Sequence, residues 1–168
     1  MTRGFAAGAL LLALAGGACG GRGHDGPAAD MQIITHGEKV ELADHLAKGK
    51  YTLFDFYAPW CPPCRALGPV LERLAASQSS RLALRKVDIV DWTMPVAEQY
   101  RIEALPHLML FDPEGKRVAE GDAVFKELSN LFGEAAREVR DIAGTIGADA
   151  PPGDETPDEG AANGAKVL

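Results

Sequence analysis

The sequence predicts an α/β protein with a central mixed β-sheet and helices on both faces. Three observations carry that reading. Short runs rich in aliphatic and aromatic residues alternate with segments whose apolar residues recur at helical spacing. The alternation closes with two strands joined by a tight turn and a last helix, which gives the order β-α-β-α-β-α-β-β-α. One strand also leads straight into two cysteines separated by two residues, Cys61 and Cys64, with a helical pattern behind them.

The elements follow in order. Residues 31–35 read as a short first strand and residues 36–38 as a turn. Leu42, Ala43, Leu46 and Ala47 predict a short helix over 42–47, ended by Gly49. Residues 51–57 are rich in strand formers and predict a central strand. A helix from Cys61 to about Ser77 carries Leu67, Val70, Leu71 and Leu74 on one stripe. Residues 81–89 predict the next strand. Pro95 suits the first turn of a helix running to Tyr100. Residues 107–111 form a strand, the Asp112-Pro113-Glu114-Gly115 turn follows, and residues 116–120 are its hairpin partner. One long amphipathic helix is expected over 122–142, with Val124, Phe125, Leu128, Leu131, Phe132, Ala135 and Val139 on its core face.

A chain of 168 residues is one domain plus extensions, and 46% hydrophobic residues can supply its core. The net charge of −7 argues against a nucleic-acid partner. Much of the acidity falls in residues 144–168, a Gly-, Ala-, Pro- and acid-rich tail that cannot offset its own ordering entropy and is expected to be disordered. The folded domain is placed at 31–143. At the other end, Arg3, an apolar stretch over 6–15 and small residues at 16–18 read as a secretory signal, residues 1–18. The apolar run is short for a membrane span. The run from Leu14 to Cys19 resembles a bacterial lipoprotein signal, in which Cys19 would be lipidated. Gly16 departs from the leucine usual there, and an ordinary signal-peptidase site stays open. Residues 19–30 read as a flexible tether. A thioether-linked Cys19 would also account for an odd count of three cysteines in an oxidising compartment.

The chemistry concentrates at Cys61 and Cys64. A free cysteine titrates near ~8.5 and is mostly thiol at neutral pH, but unfilled N–H groups and the helix dipole at a helix N-terminus favour the thiolate. The residue after Cys61 is a proline, which biases Cys61 toward extended N-cap geometry. Its sulfur is expected to stand exposed as the attacking thiol. Cys64, one turn in, should be more buried and act as the resolving thiol. A structural zinc site needs four ligands, and no second Cys/His pair is spaced for it. Haem attachment wants histidine after the second cysteine, where this chain has Arg65. A purely structural disulfide stays open. Asp55, on the central strand, should be buried with a raised pKa, fit to take a proton from Cys64 near neutrality. An inward Asp satisfied by hydrogen bonds, or one facing solvent, is the alternative.

These residues together resemble the active site of the thioredoxin family. Asp55 lies six positions before Cys61, Trp60 directly precedes it, and Pro69 falls five residues after Cys64. Downstream, residues 102–111, with Leu105-Pro106 inside, resemble the family's cis-proline strand. The resemblance covers roughly residues 32–143. Pro62 departs from the glycine of thioredoxin itself, and His107 departs from its threonine.

The resemblance implies a thioredoxin fold. The elements between Cys64 and Pro106 leave no room for the helical insertion of the family's periplasmic oxidases. The resemblance implies the same role for Asp55, with Lys86 as its partner, although Lys86 reads equally well as a solvated strand-end charge. It implies a cis Leu105-Pro106 bond that turns the Leu105 backbone toward the dithiol, where an extended substrate could pair with it. Trp60, Pro59, Pro62 and Pro63 would form an apolar rim for substrate. Trp92 could join that rim or the core, and His107 could face the dithiol or point away.

The expected function is a thiol–disulfide oxidoreductase of protein-disulfide reductase type. It would be exported to the cell envelope or periplasm, act on disulfides of envelope proteins, and draw electrons from a membrane partner. It would be a monomer needing no metal and no cofactor beyond the Cys61–Cys64 pair. A disulfide oxidase or isomerase in the same compartment, and a non-catalytic binding module on the same fold, are the alternatives.

Overall fold

The computed structural model describes residues 29–148. The signal at 1–18, Cys19, most of the tether and residues 149–168 of the tail lie outside the described residues. Five strands form one sheet: β1 Met31–His36, β2 Tyr51–Tyr57, β3 Leu82–Asp88, β4 His107–Phe111 and β5 Arg117–Glu120. Their spatial order is β1-β3-β2-β4-β5. The β1/β3 and β2/β3 pairs are parallel, and the β2/β4 and β4/β5 pairs are antiparallel. The helices are α1 Pro62–Ser77, α2 Pro95–Tyr100, α3 Ala123–Phe132 and α4 Arg137–Ala148.

Because strand side chains alternate faces, the sheet divides the core in two. On one face Leu53, Leu84, Leu108 and Leu110 meet Leu67, Leu71 and Leu74 of α1 and Val124, Leu128 and Phe132 of α3. On the other, Phe54, Phe56, Val87 and Met109 meet Val96 and Ala97 of α2, Leu42, and the two cysteines. Each of the fully buried leucines contributes about 1.5–3 kcal/mol relative to exposure. The buried Arg85 donates to the His45 carbonyl at 3.0 Å and to Asp30 Oδ1 at 2.9 Å, which ties the chain before β1 and the segment before β2 onto β3.

The strands fall close to their predicted places, and three helical expectations change. The helix expected over 42–47 is a single 3-10 turn, Leu42–His45, with its N-cap residue Glu41 making no side-chain cap. The helix expected over 122–142 is two helices. Gly133 sits at φ 55°, ψ −123°, backbone that a side chain disfavours, and a 3-10 turn Gly133–Ala136 bridges α3 to α4. The break shifts the buried face: Ala136 is buried and Ala135 is exposed. Finally, α4 continues through Gly144 to Ala148, beyond the domain end expected at 143. The Gly- and Ala-rich composition there suggested disorder, but Ile142 and Ile146 find partly buried places against the leucine core. Arg73 of α1 pairs with Glu138 of α4 at 2.9 Å across the same interface.

Replacing Gly133 by alanine should destabilise the fold by about 1–3 kcal/mol, because the new Cβ meets no neighbour and only the backbone conformation is penalised. Urea unfolding of Gly133→Ala reads this directly. An unchanged midpoint would mean that the α3–α4 corner relaxes without cost.

Candidate active site

The site is built where β2 ends and α1 begins. Cys61 is the N-cap residue of α1, in extended geometry at φ −79° and ψ 111°, and Pro62 and Pro63 occupy the first helical positions. Those prolines bring no N–H, so the first turn offers few donors. The Cys64 N–H donates to Cys61 Sγ at 3.2 Å. Cys61 and Cys64 form a disulfide with their Cα atoms 5.3 Å apart. The expected difference in exposure between them is absent. Cys61 is 3% exposed and Cys64 5%. In the closed disulfide each sulfur covers the other, and Phe56 and Ala58 belong to the same buried cluster. Position in the helix, cap against first turn, is what separates the two cysteines.

Asp55 lies on β2, on the Leu53 face that α1 covers, and is 2% exposed. Burial pushes its carboxyl up from the ordinary 3.8 to about 7; the Lys86 ammonium opposes this and the Glu72 carboxylate adds to it. Lys86 stands opposite Asp55 in the β2/β3 register. Its ammonium is nonetheless committed to Glu72 Oε1 at 2.7 Å and lies 4.7 Å from the Tyr57 ring centroid. Lys86 is therefore neither a free strand-end charge nor a direct ion-pair partner of Asp55. It acts on Asp55 through space while Glu72 holds it.

Glu72 was not picked out from sequence, although a signal exists. Cys64, Gly68 and Glu72 recur every four residues and so share one stripe of α1. The bare Gly68 makes room there: a Cβ on it would lie 3.6 Å from Lys86 Nζ. Cys64, Gly68, Glu72, Lys86 and Tyr57 line a cleft of about 310 Å³ that opens beside the buried carboxyl's strand.

The rim is assembled from two loops, β2–α1 and β3–α2. Trp60 is 48% exposed, and its Nε1–H donates to the Val90 carbonyl. Trp92 is 46% exposed and meets Trp60 edge-on, with centroids 5.7 Å apart, so it belongs to the rim and not to the core. Val90 has φ 58°, a left-handed conformation that a β-branched residue rarely adopts. It is held there from both sides. The Asp91 N–H closes a tight turn onto the Ile89 carbonyl at 2.6 Å, and the Val90 N–H donates to Asp88 Oδ1 at 2.9 Å. The other Asp88 oxygen pairs with His36 Nδ1 at 3.1 Å. Nothing in the local sequence marks Val90, since its side chain argues against the conformation it adopts.

The Leu105-Pro106 bond is cis. Leu105 packs against the cluster that contains both cysteines. His107 lies edge-on to Phe56, and its Nε2 meets Glu120 Oε1 at 3.1 Å. It is thus engaged on the sheet face opposite Asp55. Among the described residues no group of His, Cys, Asp and Glu is arranged to hold a metal ion.

The raised Asp55 pKa has a consequence for stability. Below the ordinary carboxylate range both folded and unfolded chains hold the proton, so the folded state loses nothing. As pH rises from about 4 through about 7, the unfolded chain ionises first, and the fold loses on the order of 4 kcal/mol for a shift of about three units. Asp55→Asn removes this penalty. At pH 8 it should be more stable than wild type by a few kcal/mol, with the gain gone at pH 4. Urea titrations at the two pH values test this, and equal gains at both would refute the electrostatic account.

A family model described as Thioredoxin matches residues 34–133, a stretch that contains the dithiol, Asp55 and the cis proline. A thioredoxin-like protein of Fusarium culmorum is 42% identical over 107 residues, covering 61% of this chain and 87% of that protein. A thioredoxin of Chlamydia trachomatis is 47% identical over 88 residues, covering 52% and 79%. Among solved structures, a thioredoxin of Malassezia sympodialis superposes with a TM-score of 0.50, covering 68% of this chain and 99% of that one; at 23% identity the likeness speaks for the fold alone. With the matched family model spanning more than half its length and a disulfide closed across the N-terminus of α1, the chain belongs to the thioredoxin family and is a thiol–disulfide oxidoreductase.

Proposed function

We propose that this oxidoreductase works as a reductant of disulfides in exported envelope proteins, from a membrane anchor at Cys19. In the reduced protein, the Cys61 thiolate attacks one sulfur of the substrate disulfide. The other substrate sulfur leaves as a thiolate and takes a proton. Cys64, giving its proton to the Asp55 carboxylate, then attacks Cys61 Sγ. The second substrate sulfur leaves as a thiolate and takes the proton from the Asp55 carboxyl, and the Cys61–Cys64 disulfide closes. Two electrons and two protons pass to substrate, and a membrane dithiol donor restores the reduced form. A carboxyl with a pKa of about 7 suits the task, since it can both accept and release the proton near neutrality.

The observation that carries the reducing direction is the proline pair. Thiolate stabilisation at a helix start comes from first-turn N–H groups, and Pro62 and Pro63 supply none. The Cys64 N–H, 3.2 Å from Cys61 Sγ, is the remaining donor identified there. A thiolate with few donors gives a less stabilised reduced form and a more reducing couple. The envelope location is supported by the Arg3 and apolar leader running to Cys19, followed by a Gly- and Ala-rich tether.

Two measurements test the two halves. Pro63→His restores a donor and adds a basic group. It should lower the Cys61 pKa and raise the reduction potential by roughly 30 mV, which is ~1.4 kcal/mol for this two-electron couple. Thiolate absorbance against pH, with glutathione equilibration, reads both. A wild-type Cys61 pKa near ~4 would overturn the reductant reading in favour of an oxidase. For location, the protein made in a bacterial host with lipoprotein processing should partition with membranes, and Cys19→Ala should release it in exported, soluble form. Mass spectrometry that finds an unmodified N-terminus beginning elsewhere rules out the anchor.

A further inference from the structure

The matched family region ends at residue 133, and α4 begins at Arg137. This helix does more than cover α1. Its Ala143 and Ile146 form one wall of a cleft of about 370 Å³, and Phe125 of α3 and Leu105-Pro106 complete it. That volume is at the lower end of the roughly 300–1,000 Å³ of ligand clefts. The wall residues are half-buried and apolar, and Asp122 is the charged residue among the lining. Leu105 belongs to both places, since it lines the cleft and packs against the cluster that holds Cys61 and Cys64. The cleft and the cluster around the dithiol thus share the cis-proline segment.

We propose that this cleft takes an apolar side chain of the substrate polypeptide beside its disulfide cysteine, and that Ile146 and Ala143 of α4 set the preference for it. The inference rests on the reading that the chain exchanges disulfides of extended polypeptides. Three features argue for that occupant. The cleft shares Leu105 with the cluster that holds the two cysteines, so a substrate chain pairing near Leu105 passes it. Its walls are apolar, so an aliphatic or aromatic side chain gains by leaving water. The chain's own tail fits it poorly, because Asp149, Asp154, Glu155, Asp158 and Glu159 would bring like charge to Asp122.

The test uses the full chain, reduced with dithiothreitol, and two synthetic peptides. Each carries one cysteine as a mixed disulfide with 2-thiopyridine, flanked on both sides by leucine in one peptide and by serine in the other. Attack on the peptide sulfur releases 2-thiopyridone, which absorbs, and Cys64 then frees the peptide thiol. The wild type should prefer the leucine peptide about tenfold in kcat/KM, through KM, as expected for partial burial of a leucine side chain. Ile146→Ser and Ala143→Glu should each cut that preference to about threefold or less, while Ile146→Val retains it. Turnover of the serine peptide and of hydroxyethyl disulfide should stay at wild-type level in all variants. If Ile146→Ser fails to fold, Ala143→Glu, at a half-buried position not counted among the residues packed on the leucine core, decides the matter. No preference in the wild type, or an equal preference in every variant, overturns the proposal. A preference that emerges only after residues 149–168 are removed also overturns it, by assigning the cleft to the tail. Failure to reduce hydroxyethyl disulfide is a different result, which removes the oxidoreductase reading itself.

Discussion

The burial of β2 on both faces and both edges is the constraint on which the site depends. The strand is flanked by β3 and β4, so its backbone is paired on each side and Thr52–Phe56 has no route to water. That burial makes its C-terminal end a rigid point from which α1 departs. It also leaves an ionisable side chain, Asp55, without the hydration that a carboxylate needs. The position of the dithiol and the raised pKa of Asp55 thus follow from one packing arrangement. The leucines of α1 hold the helix to the same face, so the helix start cannot drift from the strand that feeds it.

Two opposing effects act on Asp55, and their magnitudes decide its state. Desolvation penalises the ionised form, and the Lys86 charge favours it. Desolvation wins because Lys86 is not free to serve Asp55 alone. Its ammonium is 2.7 Å from Glu72, whose own negative charge works against the ionised aspartate. A direct Asp55–Lys86 ion pair would have pulled the carboxyl down and left a permanent anion, useless as a proton acceptor near neutral pH. Glu72 therefore has a share in setting the state of the Asp55 carboxyl.

The rim follows a different logic. Trp60 is exposed yet held in place. Its indole N–H is fixed by a backbone carbonyl that only the left-handed turn at Val90 presents, and that turn is in turn fastened by Asp88 and His36. Strain in the backbone here, of order 1–3 kcal/mol, is retained beside the reacting group, where an apolar platform has to be both accessible and ordered. The hydrogen bonds around it are what keep the turn from relaxing.

Much of this was legible along the chain. The dithiol declared itself by its spacing and the helix behind it. Asp55 declared itself by sitting in an apolar strand, and each strand by its composition. These are local signals, set by side-chain chemistry and short periodicities, so the sequence by itself determined the sheet, the active-site helix and the redox chemistry. The tertiary structure decided what depends on contacts between distant segments. It broke the last helix at Gly133 and let Ile146 order residues that composition marked as tail. It buried Cys61 as deeply as Cys64, gave Lys86 to Glu72, and turned His107 toward Glu120. It also held Val90 against its own preference. In each case the energy comes from partners many residues away, and a local pattern carries no information about which partner the fold will bring.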